Sequence, residues 1–141
     1  MSRQGASVET LQLMPLKIMG GADGQLVALE AQRQVPFEIL RAYYIWDVPV
    51  DGPRGRHAHH RGHQFFVCLR GACRFTCDDG TTRRDFVLES PDVGLHVPPM
   101  IWGEQTYLST DTIALVFADQ LYDRSDYIED YQEFVQLTTA G

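Results

Sequence analysis

Residues 53–71 read PRGRHAHHRGHQFFVCLRG. Four of the five histidines, His57, His59, His60 and His63, fall within seven positions of that stretch. On an extended strand successive side chains point to opposite faces, so His57 and His59 share one face and His60 takes the other. If that face lines a barrel, two imidazoles converge on one small volume. Imidazole suits proton transfer near neutral pH, and it also ligates metals. The following run, residues 64–69, is rich in β-formers and ends at Arg70-Gly71, with a second such run at 72–77. This pattern predicts a hairpin, with His63 lying just before its first strand.

Outward from this stretch, turn signals recur every 8–15 residues, among them Gly20-Gly21, Asp23-Gly24, Asp51-Gly52-Pro53, Asp79-Gly80, Ser90-Pro91 and Pro98-Pro99. Strands are expected at 26–30, 37–46, 83–88, 94–97, 103–108 and 112–118. Eight or so short strands without intervening helices predict an all-β sandwich or small barrel. The C-terminus departs from this pattern. Tyr127, Ile128, Tyr131, Phe134 and Val135 recur at helical spacing, and Asp126 with Glu129 reads as a capping box. One helix is expected there, its aromatic stripe packed on the barrel or on a neighbouring subunit. The first ten residues and the last four are expected to be loose.

Length and charge limit the function. A chain of 141 residues and net charge −7 suits one acidic domain, spanning 1–141. The balance argues against a nucleic-acid partner. No apolar run is long enough for a membrane span, and the N-terminus lacks a signal-peptide core. Cys68, Cys73 and Cys77 form no CxxC, which fits reduced thiols and a cytoplasmic location. Residues 54–77 nevertheless carry five arginines and no acid, a local +5 that leaves −12 for the rest. The chain holds eleven arginines and one lysine, Lys17. Arg forks pair with carboxylate and phosphate oxygens, so this stretch is a candidate basic mouth in an acidic protein.

The spacing Gly55-x-His57-x-His59-x4-Gln64-x6-Gly71 resembles the first cupin motif, and Pro98-Pro99-Met100-Ile101-Trp102-Gly103 resembles the second. Metal-binding cupins carry Glu where Gln64 stands and a third His where Gly103 stands. A neutral amide and a missing side chain are poor substitutes, so no metal and no other cofactor is expected. Within the cupins the chain is similar to the WxcM-like sugar 3,4-ketoisomerases. The resemblance runs in order over about residues 24–136. It includes Arg41-Ala42-Tyr43-Tyr44-Ile45, the histidine stretch, Asp78-Asp79-Gly80, Leu88-x-Ser90-Pro91 and Tyr122-Asp123-x-x-Asp126-Tyr127-Ile128. Asp23, His63 and Gly103 depart from residues found in some members.

The resemblance implies a jelly-roll, double-stranded β-helix barrel with a short C-terminal helix, acting as a homodimer. It implies an isomerase that moves the carbonyl of a dTDP-linked 4-keto-6-deoxy sugar to C3 through an enediol. The product would feed an aminotransferase making a 3-amino sugar for a surface glycan, such as an O-antigen or S-layer. His59 is assigned as the base at carbon and His57 as the shuttle between oxygens; from the sequence the reverse assignment stays open. Tyr43 is expected to hydrogen-bond the enediolate, and Gln64 to bond a His or the sugar. Arg41, Arg54 and Arg74 are expected to hold the diphosphate, and Trp102 or Tyr44 the thymine ring. The alternatives are a cupin epimerase, which often pairs its His with an Asp, a non-catalytic sugar-nucleotide-binding module, and a metal dioxygenase.

Overall fold

Alternating burial along short strands folds the chain into two five-stranded antiparallel sheets, seen in a computed structural model that describes residues 6–139. In chain order the strands are β1 (Leu13–Pro15), β2 (Met19–Gly21), β3 (Gly24–Leu26), β4 (Arg41–Ile45), β5 (Pro53–His59) and β6 (Gln64–Arg70). Then come β7 (Cys73–Asp78), β8 (Arg83–Leu88), β9 (Val93–Val97), β10 (Trp102–Tyr107), β11 (Ile113–Ala118) and β12 (Tyr127–Ile128), followed by helix α1 (Tyr131–Thr139). One sheet runs β1-β9-β6-β11-β4 and the other β12-β5-β10-β7-β8, while β2 and β3 form a separate hairpin. This is the expected all-β jelly roll, with the sheets facing each other but not closed into a barrel.

The inner faces bury one core. Phe66, Leu95 and Val116 of the first sheet meet Phe75, Phe86, Leu88 and Tyr107 of the second, and the Phe66 and Phe75 rings lie 4.6 Å apart. Parts of both outer faces are also covered. Phe65 and Val67 point outward from β6 onto Leu16, Val35 and Phe37, so residues 27–39 form a blanket over the first sheet. Trp102, Ala58 and Ile128 of the second sheet pack under Phe134 of α1. Period-2 alternation with both sides apolar explains why β6 reads as a continuous hydrophobic run.

Several expectations are corrected. The segments either side of Arg70-Gly71 do not pair: β6 lies between β9 and β11, and β7 between β10 and β8. Gly71, at φ 76°, turns the chain from one sheet into the other, and Thr112 and Ser109 crowd the place a Cβ would take. The true hairpin is β7–β8, around Asp79-Gly80. Only Leu26 of the expected strand 26–30 is in a strand, and the segment 37–46 narrows to β4. Tyr127 and Ile128 are not helical. They form β12 against β5, and Asp130 caps α1 by accepting from Gln132 N at 2.8 Å. The expected Asp126–Glu129 box is absent because Asp126 turns inward. The N-terminal segment is held from residue 8: Val8 is fully buried, and its N–H donates to Asp79 Oδ2 at 2.9 Å. Thr138 is buried too, so α1 is packed almost to its end. Residues 1–5 and 140–141, also expected to be loose, lie outside the described residues.

Gly94 faces Phe65 so closely that a Cβ would stand on the ring. Gly94→Ala is therefore expected to destabilise the fold by about 1–3 kcal/mol, the usual range for overpacking a filled site. Urea unfolding monitored by circular dichroism measures it, with Gly21→Ala, where nothing lies near the added methyl, as the control.

Candidate active site

Strand β5 carries His57 and His59 on one face, as alternation requires, with ring centroids 5.0 Å apart and planes nearly perpendicular at 85°. The chain then turns through residues 60–63 into β6. His60 is exposed at that turn. The tail beyond the last long strand folds back to pair with β5, setting Tyr127 opposite His59. The Tyr127 ring packs on both imidazoles, 4.8 Å from His57 and 4.4 Å from His59.

Asp126, just before Tyr127, is 1% exposed. Its Oδ2 lies 3.1 Å from His59 Nδ1 and accepts from Gly62 N at 3.0 Å, while Oδ1 accepts from Arg61 N at 2.8 Å. A carboxylate accepts only, so Nδ1 carries the proton. That leaves His59 Nε2 as a bare lone pair. It is buried and has no hydrogen-bond partner, a property shared among the described residues only with Arg41 Nε. Both residues line one small recess, which shares Arg41 and Tyr127 with the main cleft. Burial keeps the His59 ring neutral by lowering its pKa, outweighing the pull of Asp126 in the other direction. His57 is pushed down to about 4, by burial first and then by His59 and Arg54.

The main cleft, of about 790 Å³, is lined by Arg41, Tyr43, Arg54, Arg56, His57, Gln105, Tyr122, Tyr127 and Glu129, among others. Tyr43 reaches it from β4. Its hydroxyl oxygen accepts from Gln64 Nε2 at 2.9 Å, so its own proton is free to be donated. Burial pushes the Tyr43 pKa up to about 12, so the phenol stays protonated. The Arg41 guanidinium lies between the Tyr43 and Tyr122 rings, at 5.1 and 5.7 Å.

The structure thus brings together His57, His59, Tyr43, Gln64, Arg41 and Arg54. Three expected residues lie away from the main cleft. Arg74 is exposed on β7, between the inward-facing Cys73 and Phe75. Trp102 is 2% exposed under α1, with its Nε1 donating to Glu104. Tyr44 is 64% exposed on the outer side of β4, stacked on Trp46 at 5.7 Å. The sequence reading missed Asp126, Tyr127 and Tyr122. All three lie in the stretch 122–128 that carried the family resemblance, which was their one signal. His63 bonds His96 at 2.9 Å beside Phe37, on the outer side of the first sheet.

The donor set does not fit the ion that metal-binding cupins hold. Gln64 offers a neutral amide oxygen where those cupins carry a carboxylate, and Gly103 offers no ligand. Among the described residues no three His, Cys, Asp or Glu side chains cluster as a metal site. Nor is any described helix long and apolar enough to cross a membrane.

Residues 9–139 match the family described as FdtA: WxcM-like, C-terminal. A curated relative, the TDP-4-oxo-6-deoxy-alpha-D-glucose-3,4-oxoisomerase of Aneurinibacillus thermoaerophilus, is 45% identical over 111 residues, covering 79% of this chain and 80% of the relative. The crystal structure of a 3,4-ketoisomerase from Helicobacter canadensis superposes with a TM-score of 0.88 at 33% identity, over 92% of this chain and 97% of that one. A sugar 3,4-ketoisomerase from Thermoanaerobacterium thermosaccharolyticum, solved in complex with TDP, superposes at 0.89 and 30% identity, over 94% and 96%.

His57, His59 and His96 all have folded pKa values below that of a free imidazole, each through burial first. Between about pH 6.5 and 4 the unfolded chain therefore binds protons that the folded chain refuses. Stability is full above pH 6.5 and is lost as pH falls toward 4. Thermal midpoints across that window should fall steadily, and less steeply in His96→Asn.

Proposed function

This chain belongs to the WxcM-like sugar 3,4-ketoisomerase family, and on that premise we propose that it converts dTDP-4-keto-6-deoxyglucose to its dTDP-3-keto isomer by histidine acid–base chemistry. The observation that supports the mechanism best is the bare, buried His59 Nε2, whose opposite nitrogen is tied to Asp126. A base needs a free lone pair at operating pH, and the neutral ring supplies one.

His59 takes the proton from C3, and the electrons pass to the C4 oxygen as the enediolate forms. Tyr43 donates its hydroxyl proton as a hydrogen bond to that oxygen, with Gln64 holding the phenol in place. His57 carries the hydroxyl proton of C3 across to the C4 oxygen, and His59 returns its proton to C4. Proton transfer from a positioned group contributes roughly 10²–10⁴-fold in rate. Arg41 and Arg54 at the cleft pair with the diphosphate. Tyr122, exposed at the same mouth, takes the place of Trp102 and Tyr44 as the aromatic surface for the base.

A homodimer belongs to the same reading. The β2–β3 hairpin stands apart from both sheets with Ile18, Met19 and Leu26 exposed, and an isolated hairpin of this kind is at best marginal in water. A second copy covering it fits those apolar side chains. The reading also includes a cytoplasmic setting, with the three buried thiols reduced.

One observation favours a second reading. The His59–Asp126 pair is the His–Asp arrangement expected of an epimerase, which abstracts a proton beside the same carbonyl. Product NMR after incubation with dTDP-4-keto-6-deoxyglucose separates the two. We expect the carbonyl at C3; a carbonyl still at C4 with an inverted neighbouring centre supports the epimerase. His59→Asn is expected to abolish turnover while TDP binding by calorimetry persists. Asp126→Asn should lower kcat on the order of 10²-fold with KM little changed, because an amide donating to Nδ1 places the ring proton on the wrong nitrogen. Stopped assays on both variants give those values.

A further inference from the structure

Behind the cleft lies an inner chamber of about 20 Å³, bordered by His57, Gln64, Gly103, Gln105, Cys77 and Val97. His57 borders both spaces, as do Gly55 and Gln105. A water needs roughly 10–15 Å³ of such space and two to four polar partners. The chamber supplies both. Gln64 uses its Nε2 on Tyr43, which leaves Oε1 as an acceptor. Gln105 uses its Oε1 on Tyr107, which leaves Nε2 as a donor. His57, unlike His59, has no hydrogen-bond partner among the described residues.

We propose that one ordered water, held in this chamber by Gln64 Oε1 and Gln105 Nε2, is the hydrogen-bond partner of His57 and fixes its tautomer. The inference rests on the ketoisomerase reading and gives His57 what Asp126 gives His59. The water donates to Gln64, accepts from Gln105, and accepts from the His57 N–H on the chamber side. The cleft-side nitrogen is then unprotonated. It takes the proton of the C3 hydroxyl and returns that proton to the C4 oxygen. While His57 is transiently an imidazolium, its chamber-side N–H stays bonded to the water, so no proton enters or leaves. A neutral acceptor suits this role. The shuttle must give its proton back at once, and a carboxylate partner would hold the charged ring too long. Gln64 and Gln105 are thus positioning residues for the shuttle, and Gln64 serves Tyr43 with its other atom.

Gly103 makes the chamber possible. It pairs with His57 in the β5–β10 ladder and alternates with the outward Trp102 and Glu104, so an added Cβ points inward. Nothing lies within 4 Å of that Cβ. Gly103→Ala therefore brings a methyl into the chamber that crowds the water without clashing with the protein, and Gly103→Ser brings a hydroxyl that can bond it.

A high-resolution crystal structure of the unaltered protein is expected to show water about 3 Å from His57, Gln64 Oε1 and Gln105 Nε2. Gly103→Ala should lower kcat about tenfold or more, with KM within twofold and the thermal midpoint unchanged, and Gly103→Ser should recover most of the loss. A dry chamber in a map that resolves other buried waters overturns the proposal, as does wild-type kcat in Gly103→Ala. If the unaltered protein leaves the sugar nucleotide unchanged, the functional reading fails instead, and the crystal structure still decides the water.

Discussion

A carboxylate removed from water must be met by donors or it costs several kcal/mol. Asp126 meets that condition with two backbone amides of the turn after β5 and one imidazole nitrogen. Much of the site depends on this. The amides shape the turn from β5 into β6, the imidazole acquires a defined tautomer, and the tail is drawn back across β5 so that Tyr127 covers both rings. One buried charge thus links the strand that bears the histidines, the loop that follows them and a segment 67 positions away in sequence. The opposing effects on His59 show how the balance falls. Burial lowers its pKa more than the carboxylate raises it, so the ring stays a base while Asp126 acts on its orientation.

The histidine face was legible because a period of two leaves no choice: residues 57 and 59 must share a side. Strand β8 was legible to the residue, since Asp79-Gly80 fixes where it can start. The failures have physical causes. Tyr127 and Ile128 fit a helical stripe, but the buried bonds of Asp126 outweigh helix propensity and hold them extended on β5. Arg70-Gly71 has the chemistry of a hairpin turn, yet a left-handed glycine can equally pass a chain between sheets. Which of the two occurs depends on partners brought from β9, β10 and β11. Arg74 could have been excluded, because it sits between two apolar residues that alternation sends inward. Tyr43 and Tyr44 could not be told apart, since adjacent strand residues take opposite faces and two identical side chains do not say which face is inner. The pairing of Asp126 with His59, 67 positions apart, had no local signal.

The charge pattern acquires a geometry. Arg41, Arg54 and Arg56 border the cleft, while Arg61 lies outside it and pairs with Asp123. The net negative surface elsewhere leaves the mouth as a basic region suited to a phosphate-bearing ligand. Glu129 at the same rim limits that region on one side.

The three cysteines bear on how this protein can be watched. Cys68, Cys73 and Cys77 are at most 1% exposed, and burial pushes Cys73 and Cys77 up to about 12. A thiol reagent meets neither a surface nor a thiolate while the sheets stay together. Labelling must wait for the sheets to part, so its rate is a clock for opening of the inner core. The sulfurs sit on β6 and β7, which lie in different sheets, so the clock records separation of the two layers and not fraying of a single edge.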